Sequence, residues 1–316
     1  MSQIPVLTPL WNAFTSPILP RIALSITETN LALIELNRRG GGFVPRRLAV
    51  QRLPEGLVRA KLTEPNIVDE AAFAEQLLQT AAQAQLKGKL KLSVTLPEGS
   101  ARSFIVTIDQ EPASRAELEQ MLDWRISRGI GNKASEMRVT HQRLGKIDGQ
   151  SRWLAAAVHE SVVTQYESIF KQLGWQAGTI LPQHLGEAQW LLRAGLSDQE
   201  DQALVSVYPQ GFVAIIVRGT EPLLVREVTC APHEREDELY RLMIFYRDRL
   251  NPVRPLNSLL VIGSSDEQQT LWRTVTSALE TNPNKLSPQH LGLNIDANMP
   301  FSKFAAAAGV ATLAWR

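Results

Sequence analysis

Two short polar turns, each set between apolar strands, are the places in this chain where phosphate chemistry could be done. Residues 21–36 (RIALSITETNLALIEL) and 203–217 (ALVSVYPQGFVAIIV) each read as strand, turn, strand. In a duplicated nucleotide-binding architecture such turns hold a polyphosphate through backbone N–H groups, helped by glycine and by cations. Thr27, Thr29 and Asn30 are the candidate contacts in the first turn and Gly211 in the second. A third candidate is the pair Gly263 and Ser264, which follows the apolar run 256–262. The same Gly263-Ser264-Ser265 run also reads as a plain strand-to-helix turn, with Ser265 or Asp266 as N-cap. Neither of the first two turns contains lysine or arginine, and Glu28 adds a negative charge where polyphosphate would sit. The expectation is a phosphate cradle in outline with its chemistry lost.

Other chemistries find less support. The five histidines (141, 159, 184, 233 and 290) show no metal-ligand spacing, and His159 reads as a polar helix start. The single cysteine, Cys230, excludes an internal disulfide framework and a cysteine-cluster zinc site. No Gly-x-Ser-x-Gly elbow is present to support acyl transfer. A net charge of +1 argues against a dedicated nucleic-acid binder. Residues 1–20 lack a basic leader and carry Pro5, Pro9, Pro17 and Pro20, so they read as neither signal peptide nor anchor. With no apolar run long enough to span a bilayer, the expected address is cytoplasmic. Trp11 and Phe14 in this arm could dock at a membrane interface, pack on the domain or meet a partner. Arg38, Arg39, Arg46 and Arg47 flank Gly40–Gly41–Gly42 and read either as a solvated turn or as a basic hairpin for acidic lipid or protein.

The elements that would position these residues follow from periodicity. A third strand is expected near 48–53, an amphipathic helix over 69–86 capped by Asp69, and an alternating strand at 90–96. Residues 97–175 read as strand, helix, strand, strand, helix. Phe104, Val106 and Ile108 alternate on the strand, and Ser114 with Glu117 forms a capping box. Asp148-Gly149 turns the second strand pair, and residues 160–173 form a helix stopped by Gly174. A strand at 176–181 and a helix at 185–194 return to the first core, and residues 197–202 read as a linker. The second lobe repeats the pattern with the duplicate hairpin, a strand at 223–228, helices at 236–250 and 267–279, and a strand at 256–262. A closing helix is expected near 301–314.

On these segments the chain resembles the PilM-like proteins of type IV pilus assembly, and more distantly the cell-division protein FtsA. The resemblance rests on LALIEL at 31–36, on the run WLAAAVHESVVTQYESIFKQLGWQAGTILPQHLGEAQWLL at 153–192, and on the alanine-rich 305–314. It implies an α/β, actin-like (ribonuclease H-like) duplicated two-lobed fold with an inserted small α+β module of the SHS2 type. The arm would be residues 1–20, the first lobe 21–96 plus 176–198, the module 97–175 and the second lobe 203–316. The last helix would close onto the first lobe. Where the family places its phosphate-loop Asp and Gly, this chain has Ser25 and Thr27, and in the second hairpin Ser206 and Tyr208. ATP with magnesium is what the family implies, yet these departures leave no cofactor as the expectation. The implied partner is the N-terminal cytoplasmic tail of a PilN-like single-span membrane protein within an inner-membrane pilus complex. It would bind as an extended peptide in a groove by the module, with Phe104, Val106, Ile108, Leu118 and Leu122 as wall residues. The resemblance thus implies an adaptor peripheral to the inner membrane. An active actin-like ATPase and a GspL-like component of type II secretion are the alternatives.

Overall fold

The computed structural model describes residues 19–108, 112–131, 134–147, 149–193, 200–250, 256–296 and 298–315. Its first lobe begins with β1 (Ile22–Ile26), β2 (Asn30–Arg39), β3 (Gly42–Arg52), α1 (Glu70–Gln83) and β4 (Lys91–Leu96). A module follows, made of β5 (Ala101–Ile108), α2 (Arg115–Ile130), β6 (Met137–Ile147) and β7 (Gln150–His159). The chain returns through α3 (Glu160–Gln172), β8 (Gln176–Pro182) and α4 (Gln183–Ala188). The second lobe holds β9 (Asp201–Tyr208), β10 (Gly211–Arg218), β11 (Glu221–Thr229), α5 (Arg235–Phe245), β12 (Leu256–Ile262), α6 (Ser265–Leu279), β13 (Asn284–Lys285) and α7 (Ala305–Ala311).

The two large sheets are copies of one topology. Their orders are β3-β2-β1-β4-β8 and β11-β10-β9-β12-β13, with a three-strand antiparallel meander beside two parallel strands in each. The module adds a smaller sheet, β5-β7-β6, antiparallel throughout.

Strand alternation decides which core each side chain enters. On β2, Leu31 and Leu33 point to one core with Phe73 and Leu77 of α1 and Tyr166 and Phe170 of α3. Ala32, Ile34 and Leu36 point the other way. On β10, Phe212, Ala214 and Ile216 meet α5 and α6, whereas Val213, Ile215 and Val217 face inward. The inward faces of both sheets share one core, filled by Trp190 and by the alanines of α7. Each large side chain buried in this way contributes about 1.5–3 kcal/mol.

Small residues let α7 approach. A Cβ on Gly309 would lie 2.0 Å from the Gly186 carbonyl oxygen of α4, so only glycine fits that crossing. The Trp190 indole N–H donates to the Ala305 carbonyl at 2.9 Å and pins the helix start.

Several expected boundaries move. The hairpin expected as a turn over residues 38–47 is mostly strand, with only Gly40 and Gly41 in the turn at φ 58° and 84°. Arg46 and Arg47 sit on β3 and reach Glu35 of β2 at 3.2 and 2.7 Å, which ties half of that basic cluster to the protein's own carboxylate. The helix expected at 185–194 begins at Gln183 and gives way to a 3-10 turn at Leu191–Arg193, because the Gly186–Gly309 crossing packs its first turns; Ala194 lies outside the described residues. The expected linker ends early. Asp201 and Gln202 already belong to β9, and buried Asp201 pairs with Arg218 at 2.7 Å and accepts from the Tyr246 hydroxyl at 2.6 Å. The helix expected over 236–250 changes to a π turn at Tyr246–Leu250. Helix α3, grouped by sequence with the module, buries Val162, Tyr166, Ile169 and Phe170 in the first-lobe core. Trp11, Phe14 and Asp148 lie outside the described residues.

Candidate functional site

All three candidate turns meet at the cleft between the lobes. Thr27, Thr29 and Asn30 line one wall, and Tyr208, Pro209, Gln210, Gly263 and Ser264 line the other, around a cavity of about 210 Å³. Backbone geometry explains what each turn can offer. In the first, the Thr27 N–H donates to the Asn30 carbonyl at 2.9 Å. The Thr27 hydroxyl oxygen accepts from the backbone N–H groups of Asn30 (2.8 Å) and Thr29 (3.3 Å). Three donors that a phosphate would need are thus spent within the turn.

The second turn is closed by other means. Pro209 brings no N–H, and buried Arg235 on α5 donates to the Tyr208 and Pro209 carbonyls at 2.7 and 3.0 Å. Gly211 does not line the cavity. A Cβ there would stand 1.9 Å from the Val228 carbonyl oxygen, so this glycine permits the β10–β11 pairing rather than a ligand's approach. In the third turn the N-cap is Ser264, one residue before the expected Ser265 and two before the alternative Asp266. Its hydroxyl oxygen accepts from the Glu267 N–H at 3.3 Å, and Glu267 Oε2 accepts from the Ser264 N–H at 2.9 Å, a closed capping box. Glu267 Oε1 pairs with Arg235 at 2.7 Å, linking the second turn to the third.

Glu28 joins the lobes. It accepts from the Ala60 N–H at 2.8 Å and, across the cleft, from the Gln210 amide at 2.8 Å. The turns that would have gripped a nucleotide from two sides are hydrogen-bonded to each other. Lys303 is the one basic residue among the described residues that line the cleft, against Glu28, Glu98 and Glu267.

A buried polar network lies beneath. Glu98 Oε2 and His184 Nδ1 are 2.9 Å apart, both nearly fully buried, and the His184 N–H also donates to Glu98 at 2.7 Å. Burial opposes charge on His184, yet the carboxylate of Glu98 outweighs it and the imidazole pKa rises. Burial pushes the Glu187 carboxyl up to about 7, with the charge of Glu98 adding to the rise. Burial also raises Glu227, which bonds Arg102 of the module and, at 3.3 Å, the Tyr208 hydroxyl. First lobe, second lobe and module therefore meet in one network. Ser25 and Ser206, where the resemblance places acidic phosphate-loop residues, are both buried at strand ends. Among the described residues no group of histidine, cysteine or acid side chains could hold a metal ion. Sequence reasoning missed Glu98, His184, Glu187, Arg235 and Glu267, since their meeting depends on contacts between distant segments.

A second feature is a groove of about 260 Å³ between the module and the first lobe. Its walls are β8 (Ala177, Ile180, Leu181) and the strands β6 and β7 (Val139, Ala156, Val158). β8 ends its sheet and is half-exposed along most of its length. The expected wall residues lie elsewhere. Val106, Ile108 and Leu122 form the module's own core with Phe104 and Leu118 packed against it, because β5 and α2 close on each other.

No family model and no curated protein matches this chain in sequence. Among solved structures it is similar to a chain of a PilM-PilN type IV pilus biogenesis complex, with a TM-score of 0.75 and 17% identity, covering 95% of this chain and 100% of that one. A Bacteroides thetaiotaomicron protein with an actin-like ATPase fold has a TM-score of 0.49 and 11% identity, covering 96% and 98%. Ethanolamine utilization protein EutJ from Carboxydothermus hydrogenoformans has a TM-score of 0.49 and 8% identity, covering 94% and 91%.

Proposed function

We propose that this chain, whose fold is actin-like and two-lobed, works as a PilM-like adaptor of type IV pilus assembly, or of a related machinery, that does not turn over ATP. Its partner in this reading is the cytoplasmic N-terminal tail of a PilN-like single-span protein, which would hold it at the inner membrane. The observation that carries the reading is the state of the cleft: the first and third turns use their N–H donors internally, the second brings Pro209 with no N–H, and Glu28 is bonded to Gln210 across the gap. The likeness to a chain of a PilM-PilN complex supports the choice of partner. The groove between β8 and the module supports the mode, since an extended peptide can add to a sheet edge and seat alternate side chains in an apolar wall. Among the described residues no helix is long and apolar enough to cross a membrane.

Two measurements test this. Calorimetry with ATP and magnesium is expected to show no binding heat, and a saturable isotherm would restore the ATPase reading. A pull-down with the cytoplasmic N-terminal tail peptide of a PilN-like single-span protein is expected to retain it. Failure to bind at high micromolar peptide would remove the adaptor reading.

A further inference from the structure

At the end of the second sheet farthest from the cleft, a buried cation lacks a carboxylate partner. β10 runs from Gly211 at the cleft turn to Arg218, which puts its other end roughly 20 Å away. There the module meets the second lobe. Lys146 and Ile147 of β6, Arg152 of β7, Arg218 of β10, and Glu221 and Leu223 of β11 line a cavity of about 380 Å³. Arg152 is only 5% exposed, and its Nη2 donates to the Pro222 and Leu223 carbonyls at 2.5 and 3.4 Å. Its Nε and Nη1 donate to nothing among the described residues, and no carboxylate there lies within ion-pair distance. Neither nitrogen is sealed from solvent, so both open on the cavity that Arg152 lines. Burial lowers the pKa of Arg152, and the charge of Glu221 only partly offsets this. Arg218 is gripped by buried Asp201 through Nε and Nη2, at 2.7 and 2.9 Å, which leaves its Nη1 without an acceptor among the described residues. Lys146 adds an exposed ammonium. Glu221 is the one carboxylate among the described lining residues, and one of its oxygens accepts the Gly145 N–H at 2.9 Å.

We infer that this cavity binds a phosphate group, free or as a monoester, across the seam between the module and the second lobe. Cationic donors from three strands surround the space, which suits a tetrahedral oxyanion with several acceptor oxygens better than a planar carboxylate. Such a group supplies the charged acceptor that Arg152 lacks, at a place where burial makes a missing partner costly. Ile147 and Leu223 beside the cations form an apolar wall for the organic part of a monoester. Because β6 and β7 belong to the module and β10 and β11 to the second lobe, the bound anion ties the two together.

Calorimetric titration of the full chain with sodium phosphate at constant ionic strength tests the idea. Saturable binding is expected with a dissociation constant of about 1 mM or tighter, together with a rise in melting midpoint. Lys146→Gln, at an exposed position, is expected to weaken binding about threefold. Arg152→Met is expected to abolish it, and the Lys146 variant decides should that chain fail to fold. Phenyl phosphate is the second probe: tighter binding than inorganic phosphate supports the monoester, and equal binding supports the free ion. Absence of saturation below about 10 mM phosphate would overturn the inference. So would an affinity that Lys146→Gln leaves unchanged, whether or not Lys303→Gln in the interlobe cleft lowers it.

Discussion

At the scale of single residues, the cleft floor makes stability depend on pH in a stated direction. Glu187, His184 and Glu227 all have folded-state pKa values above their ordinary ones, so the folded chain binds protons more tightly than the unfolded chain. Stability contributed in this way is fully present below the unfolded values and is lost as pH rises through the folded ones. For Glu187 the window runs from 4.5 to about 7. Across it the loss is on the order of 3 kcal/mol. Thermal melts of the wild type are expected to show a falling midpoint through this window, and Glu187→Gln is expected to flatten the fall and to melt higher than wild type above it. A variant whose midpoint falls as steeply as the wild type would show that Glu187 is not the source. A second residue-scale prediction concerns Gly211→Ala. The added Cβ meets the Val228 carbonyl 1.9 Å away, and the expected loss is on the order of 3 kcal/mol in a denaturant titration, with the ATP calorimetry trace the same as that of the wild type.

At the scale of elements, α7 is held by glycine as much as by alanine. Gly309→Ala puts a methyl 2.0 Å from the Gly186 carbonyl, so α7 must lift from α4. The expected cost is on the order of 3 kcal/mol, read by chemical denaturation, with faster amide exchange across Ala305–Ala311. Elements of this kind were the legible part of the sequence. Apolar runs set around short polar turns in 21–36 and 203–217 marked the hairpins, and 3.6-residue spacing at Phe73, Leu77 and Ala81 marked α1, because these signals lie within one segment. Asp69 and Ser114 cap their helices as their spacing foretold. What escaped was set by distant contacts. β13 is two residues long and exists through its pairing with β12; Arg235 matters through carbonyls twenty-odd positions away; and the groove walls come from β6, β7 and β8, not from the β5 and α2 residues that the resemblance implied. A strand rich in buried side chains announces a core, and a half-exposed one such as β8 announces a surface only once its neighbours are known.

At the scale of the whole molecule, the two lobes are joined at both ends of the cleft. The mouth is spanned by the Glu28–Gln210 bond, and the base by the shared core, beside which Arg102 of the module bonds Glu227 of the second lobe. Gln210→Ala removes the exposed bond, worth about 1 kcal/mol, and is expected to leave the melting midpoint almost unchanged while amide exchange at residues 27–30 quickens. Unchanged exchange at that turn would mean that the bond does not restrain the lobes. Another consequence lies in the order of synthesis. The inward face of the first sheet, with Ala23, Ala32 and Ile34, is covered by the last helix of the second lobe, whose residues follow all the other strands and helices of that lobe in the chain. A growing polypeptide therefore carries an unroofed apolar face through most of its translation, and full protection of β1 and β2 waits for the arrival of residues 305–311.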